Sequence, residues 1–180
     1  MIKKIKTVVI LSAVGATLLL LAATACLTTT LFAQQNSNRP LQLKQITAKL
    51  SGSNEVPPVT TAGSGMAIFH IIPIGHQLAI NYQVNLKNMK GVTGAHIHIG
   101  KQGENGPVVA TLFNPSMSGP TTGTINGLLT AGTLTSSKLT GLLQGKLSLS
   151  ALVSMIRSGE AYVNVHTTLD HTGKVRGQIS

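Results

Sequence analysis

The sequence has one cysteine, no tryptophan and only four acidic residues in 180 positions. Because the single cysteine, Cys26, lies near the N-terminus, the rest of the chain has no internal disulfide, thiolate metal cluster or cysteine nucleophile. A chain of this length can bury one apolar core without disulfides. With three Phe and two Tyr, that core must consist mainly of aliphatic side chains.

The shortage of acidic residues leaves a formal net charge of +10. The basic residues are scattered rather than clustered, and few aromatic side chains are present to stack on bases. We therefore expect no nucleic-acid partner, and we attribute the charge to solubility and a mild attraction to anionic surfaces. The 19 glycines, with frequent Ser and Thr, favour many short strands joined by tight turns.

The N-terminus has the pattern of an export signal: Lys3, Lys4 and Lys6 precede an uncharged stretch at 7–33. Basic residues stay on the cytoplasmic side, so the domain that follows is placed outside. The sequence thus predicts a signal peptide or N-terminal membrane anchor at 1–33, a polar linker at 34–42 and a folded domain at 43–180. We expect that domain to be secreted or tethered to the outer face of the cytoplasmic membrane.

Three fates of this leader remain open. A signal peptidase could cut after Ala25, where Ala23-Thr24-Ala25 fits the rule of small residues at the cleavage site, or after Ala33. Cys26 could be lipidated, because the residues before it resemble a bacterial lipoprotein box, with Ala23 in place of the more usual Leu. The uncharged stretch also exceeds the roughly 20 residues that span a bilayer, so an uncleaved anchor would fit.

Strand-like segments separated by Gly- and Pro-rich breaks fill the rest of the chain. The clearest runs over 76–86, where Leu78, Ile80, Tyr82, Val84 and Leu86 alternate with polar residues. The predicted strands are 43–50, 65–72, 76–86, 94–99, 107–113, 121–130, 160–167 and 174–179. This spacing predicts a sandwich or barrel of antiparallel strands.

One segment has helical instead of strand periodicity. Leu149, Leu152, Val153 and Ile156 are spaced as on one face of a helix, Ser148 can serve as the N-cap, and Gly159 can end the helix in a left-handed conformation. We therefore expect one short helix near 149–158.

Three histidines in strand-like segments are candidate metal ligands. His96 and His98 are two residues apart, so both project from the same face of a strand. Two imidazoles bind a metal weakly, but His166, in another alternating segment, could supply a third ligand. Alternatively, the three are exposed or core histidines without a metal. His171 and Asp170 lie in the following turn and are possible peripheral ligands, whereas His70 and His76 flank a turn and are expected at the surface.

No catalytic constellation is recognisable. A nucleophile–base pair is not evident, and the four carboxylates show no pairing that favours a hydrolase. The glycines also form no phosphate-binding loop. The sequence therefore favours a protein without enzymatic activity.

Five motifs in order resemble the CHRD domain, which is repeated in chordin and occurs singly in many exported microbial proteins. They are LSGSNEVPPV at 50–59, GAHIHIG at 94–100, GPVV at 106–109, YVNVHT at 162–167 and GKVRGQ at 173–178. The resemblance covers about 45–180. It implies an extracytoplasmic β-rich domain and no defined activity.

A fainter resemblance is to the copper–zinc superoxide dismutases. His96-Ile97-His98 is similar to their paired copper ligands and His166 to a later one, while LFNP at 112–115 has Leu112 where they have a bridging histidine. The resemblance implies a copper-only site of three histidines, with Arg176 near it to attract anions. It also implies an all-β, antiparallel immunoglobulin-like or superoxide-dismutase-like sandwich of about eight strands.

Three functions follow as expectations. The first is an extracytoplasmic CHRD-domain module that binds an unknown extracellular or envelope component, and that touches the membrane if its leader is uncleaved or lipidated. The second is storage or delivery of one copper ion, with zinc as the alternative metal. The third is a copper-dependent enzyme similar to superoxide dismutase, which would need an open position on the metal.

Overall fold

The computed structural model describes residues 45–115, 119–141, 144–145 and 148–180. The leader, the linker and Cys26 lie outside these residues. Eight strands follow one another along the described chain. They are β1 (Ile46–Ser51), β2 (Ser64–Ile74), β3 (Gln77–Lys90), β4 (Val92–Ile99), β5 (Val108–Phe113), β6 (Thr124–Leu134), β7 (Ala161–Thr167) and β8 (Val175–Gln178).

The strands form one antiparallel sheet in the order β5-β4-β7-β8-β1-β2-β3-β6. The sheet is nearly closed, because its two end strands approach each other at Leu112. The carbonyl oxygen of Leu112 on β5 accepts hydrogen bonds from Tyr82 Oη of β3 at 3.0 Å and from Thr130 Oγ1 of β6 at 3.4 Å. The prediction of an all-β antiparallel fold of about eight strands with one short helix is confirmed.

A single apolar core lies inside this sheet and consists mainly of aliphatic residues. The alternation predicted for 76–86 is confirmed, since Ile80, Val84 and Leu86 are buried and Leu78 and Tyr82 pack against the core. The strand continues to Lys90, beyond its predicted end. Its register shifts after Leu86, where Asn88 adopts a φ of 55°. This irregularity returns Met89 to the core side of the sheet.

The helix α1 spans Leu149–Arg157 and buries the four predicted apolar residues. It ends as expected, with Gly159 at a φ of 73°. The N–H groups of Gly159 and Glu160 donate to the carbonyls of Ile156 and Met155, the pattern of a Schellman motif. Ser148 occupies the N-cap position, but its side chain makes no capping hydrogen bond.

Strands β4, β7 and β8 separate two environments. The side chains of Ala95, Ile97, Val163, Val165 and Val175 enter the apolar core. Their neighbours along each strand project from the opposite side of the sheet, because successive side chains in a strand alternate. Within the described residues, no helix is long and apolar enough to cross a membrane.

Candidate metal centre

The opposite side of β4, β7 and β8 carries polar side chains that pair across the strands. The Cα register places His96 beside Asn164, His98 beside Tyr162, and Arg176 beside Asn164. Cross-strand partners project from the same face of a sheet. We call this surface the polar face; it comprises His96, His98, Tyr162, Asn164, His166, Arg176 and Gln178.

Three segments cover the polar face and bury much of it. Glu55, after the 3₁₀ turn that follows β1, accepts a hydrogen bond from Asn164 Nδ2 through Oε2 at 3.3 Å. The loop at 100–107 lies over Arg176, which is 1 % exposed. The turn at 168–173 lies beside His166. Tyr162 and Asn164 are also buried, so the polar face has little access to water.

The structure brings His96, His98 and His166 together. One ring nitrogen from each lies within 4.8 Å of those from the other two. The ring centroids are 5.0 Å apart for His96 and His166, and about 6 Å apart for the other pairs, at 6.0 and 6.1 Å. His98 is buried, whereas the other two are partly exposed. His70 and His76 lie elsewhere, on β2 and in the turn that follows it.

Two backbone carbonyls determine the tautomers of His98 and His166. His98 Nδ1 lies 2.9 Å from the carbonyl oxygen of Gly106, and His166 Nδ1 lies 2.9 Å from that of His171. A carbonyl oxygen only accepts, so each Nδ1 must carry the proton and donate it. A neutral imidazole has one N–H, and Nε2 of each ring therefore presents a free lone pair.

The nitrogens that remain are buried without partners. His96 Nδ1, His98 Nε2 and His166 Nε2 find no hydrogen bond among the described residues. Leaving a buried polar atom unsatisfied costs about 1–3 kcal/mol, so such atoms are uncommon and need a physical explanation. Two of these nitrogens present free lone pairs, and a cation shared by the three adjacent rings would satisfy all three nitrogens.

Burial also keeps the three rings neutral. Desolvation, followed by the neighbouring His166 and His98, lowers the pKa of His96 to about 4. Desolvation likewise lowers the pKa values of His98 and His166, opposed in each case by the hydrogen bond to a carbonyl. Neutral imidazole is the form that binds metals, so protons compete little for this site near neutral pH.

The chemistry of the site fits a borderline or soft divalent metal. The group contains three imidazoles, and no carboxylate among the described residues belongs to it. Nitrogen ligands suit copper, zinc and nickel rather than calcium or magnesium. Metal–nitrogen bonds of about 2.0–2.1 Å hold ligand nitrogens no more than about 4.2 Å apart, a spacing close to the upper limit of 4.8 Å between the three ring nitrogens.

The peripheral residues take other positions. His171 is exposed and contributes its carbonyl to His166. Asp170 pairs with Lys174, with a distance of 2.8 Å between Oδ2 and Nζ. Arg176 is buried and bonded to the 100–107 loop, so its guanidinium does not face solvent as an anion attractant would. Leu112, at the position of the bridging histidine in the fainter resemblance, is buried in the core.

Sequence reasoning did not identify Glu55 as part of this region. Desolvation raises the pKa of Glu55 to about 7, although Arg176 and the hydrogen bond from Asn164 oppose the shift. Glu55 lies within the first of the motifs shared with the CHRD domain, and that was the only signal available. Tyr162 and Asn164 were identifiable from alternation, since both share a face with His166.

Comparison with known proteins gives one match. The model of the CHRD domain family matches residues 46–179, which include every strand described above and all three histidines. No curated protein and no solved structure matches the chain. Because the match covers most of the sequence, the chain belongs to the CHRD domain family.

Proposed function

We propose that this protein is an extracytoplasmic CHRD-domain binding module that holds one copper ion on His96, His98 and His166. One observation carries the proposal: three adjacent imidazoles each present a buried ring nitrogen that has no hydrogen-bond partner in the part of the chain that the structure describes. Two of these nitrogens are the unprotonated Nε2 atoms that the carbonyls of Gly106 and His171 leave free. Metal-binding histidines in proteins are oriented by the same kind of second hydrogen bond.

Copper is favoured over zinc by intrinsic affinity. Nitrogen sites bind Cu²⁺ more tightly than other divalent first-row metals, including Zn²⁺. The site offers no thiolate and, among the described residues, no carboxylate that would shift this preference. Copper storage or delivery is therefore the activity that we propose, with zinc as the alternative occupant.

A redox reaction is the second candidate. Three protein ligands leave one position of a four-coordinate metal for water or a substrate, as in catalytic metal sites. A superoxide-decay assay on the copper-loaded chain, compared with His98→Ala, tests this candidate. If superoxide decays no faster with the copper-loaded chain than with His98→Ala, the redox reaction is refuted and storage or delivery is the remaining function.

Calorimetric titration of the purified full-length chain with Cu²⁺ tests the proposed site. We expect one ion per chain with a Kd tighter than about 10 μM, and loss of that binding in His98→Ala. His70→Ala is the matched control, because His70 lies on β2 outside the group. Weaker binding by the unmodified chain, or equal binding by His98→Ala, would refute the site.

The extracytoplasmic location rests on the leader. The basic start followed by the uncharged stretch at 7–33 supports export, and Cys26 supports lipidation as one of three fates. Treating intact cells with a protease that cannot enter the cytoplasm tests the location. Degradation of the domain in intact cells is expected, and complete protection alongside a cytoplasmic marker would argue against export.

Fatty-acid labelling that Cys26→Ser removes would identify the lipidated form.

A further inference from the structure

The loop at 100–107 connects His98 to a second aromatic ring. Gly106 accepts the Nδ1 proton of His98 through its carbonyl, and its own N–H donates to Tyr162 Oη at 3.1 Å. The Tyr162 ring in turn stacks on the His98 imidazole, with centroids 4.9 Å apart and planes 14° apart. His98, Gly106 and Tyr162 thus form a closed ring of contacts, so moving any one of them disturbs the imidazole.

Arg176 holds both the loop and the aromatic ring. Its Cζ lies 3.4 Å from the centroid of Tyr162, a close cation–π contact. Its guanidinium donates to the carbonyls of Lys101 and Glu104 at 3.0 and 2.7 Å, and to Asn105 Oδ1 at 3.2 Å. All three acceptors belong to the 100–107 loop. A planar guanidinium presents five donors in a rigid fork and stacks on an aromatic face, whereas the ammonium of a lysine has three donors on a flexible stem and no flat face.

We infer that Tyr162 and Arg176 are positioning residues of the histidine site, which hold the 100–107 loop and, through Gly106, the orientation and tautomer of His98. The inference rests on the proposed function for its link to copper, but the positioning itself is a property of the metal-free chain. His166 is held by a different segment, the turn at 168–173. Loss of Tyr162 or Arg176 should therefore disturb His98 and leave His166 unchanged.

The tautomer of each imidazole can be measured without copper. In the ¹⁵N-histidine-labelled full-length chain at neutral pH, we expect ring nitrogen shifts that show Nδ1–H on His98 and His166, assigned with His98→Gln and His166→Gln. Tyr162→Phe removes one hydroxyl and keeps the ring, while Arg176→Met removes the guanidinium. In both variants His98 should lose its tautomeric preference and His166 should keep it. A change in both histidines would indicate general unfolding and overturn the inference.

Copper affinity gives the second measurement. Removing a residue that orients a metal ligand usually weakens binding by about 10- to 100-fold. We expect about 10-fold for Tyr162→Phe and a larger loss for Arg176→Met, which Arg176→Lys does not restore. Thr133→Val is the matched control for Tyr162→Phe, because it also removes one hydroxyl. The Thr133 hydroxyl, on β6 and away from the site, donates to Asn81 Oδ1 on β3 at 2.8 Å. Its affinity should stay within about twofold of the unmodified chain.

The outcomes separate this inference from the proposed function. An unchanged His98 tautomer in Tyr162→Phe and Arg176→Met overturns the positioning role, whether or not copper binds. Tautomers that change as expected in a chain that binds no copper support the positioning role and refute the proposed function. Copper binding that stays equal in all variants despite a changed tautomer overturns the role of these residues in the metal site.

Discussion

Gly94 lies opposite His166 in the β4–β7 pair and directly beside the His96 ring. A Cβ at this position would lie 2.9 Å from His96 Cε1, closer than side-chain contacts normally allow. We therefore expect Gly94→Ala to displace the His96 imidazole and to weaken copper binding by about 10-fold while the fold is retained. Calorimetry measures the change in affinity.

Gly75→Ala is the control for this substitution. Gly75 has a φ of 59° in the turn between β2 and β3, and a Cβ added there would meet no atom of the described residues within 4 Å. The control should lose about 1 kcal/mol of stability through backbone strain and keep its copper affinity. If Gly94→Ala binds copper as tightly as the unmodified chain, the orientation of His96 does not matter to the site.

Glu55 gives the metal-free chain a defined pH dependence. The pKa of its carboxyl is raised by burial to about 7, above its ordinary value of 4.5. Between these values the folded chain binds more protons than the unfolded chain, so the contribution of Glu55 to stability is full below pH 4.5 and is lost as the pH rises through 7. A glutamine at this position cannot ionise, and Glu55→Gln should therefore gain stability relative to the unmodified chain as the pH rises.

Urea unfolding of both metal-free chains at about pH 5 and about pH 8 measures this difference. The gain for Glu55→Gln between the two conditions should be at most about 3 kcal/mol, since one pH unit corresponds to about 1.4 kcal/mol. An identical difference between the two chains at both pH values would mean that Glu55 is not desolvated in solution.

The three ligands could be predicted from the sequence, but their surroundings could not. Strand alternation places His96 and His98 on one face, and His166 has a similar setting. Glu55, by contrast, is separated from Asn164 by 109 positions and reaches it only after the sheet has formed. The carbonyls of Gly106 and His171 leave no trace in the sequence, because every residue has such a group.

At the scale of elements, the end of α1 depends on one residue. Gly159 has a φ of 73°, which costs a residue with a Cβ about 1–2 kcal/mol. An added Cβ would contact no atom within 4 Å in the described part of the chain. Gly159→Ala should thus lower the Tm by about 4 °C through backbone strain alone. Gly159→Asn should lose less, because Asn tolerates this conformation. Equal Tm values for Ala and Asn would refute the Schellman assignment.

The elements themselves were largely predictable, because apolar alternation and Gly-rich turns are local properties. All eight predicted strands and the helix are present, and the boundaries are what differ. β6 was expected at 121–130 but spans Thr124–Leu134, since its ends are determined by pairing with β3. The extension of β3 beyond Leu86 likewise depends on an irregular pairing at Asn88, which alternation alone does not indicate.

At the scale of the whole molecule, the sheet order creates the site. β4 and β7 are distant in sequence and become neighbours in the sheet, and their register places His98 beside Tyr162. Alternation in the sequence predicts the face of its strand from which each histidine projects. It does not predict which strand pairs with that strand in the sheet. The CHRD family match covers this entire arrangement.

Metal binding should stabilise the whole domain. A ligand that binds only the folded chain adds about 2.7 kcal/mol at a free concentration of about 100 times its Kd, which corresponds to a rise in Tm of roughly 10 °C. Thermal unfolding with and without Cu²⁺ measures this rise, and His98→Ala should show none of it. An equal rise in His98→Ala would mean that copper binds at another site.

The position of the bound ion tests the central claim most directly. In crystals of the copper-loaded chain, the anomalous difference map at the copper edge should contain one peak about 2.0–2.1 Å from three nitrogens. We predict that these are His96 Nδ1, His98 Nε2 and His166 Nε2, the buried atoms without hydrogen-bond partners among the described residues. A peak coordinated elsewhere, or none near these three rings in a chain soaked with excess copper, would contradict the account.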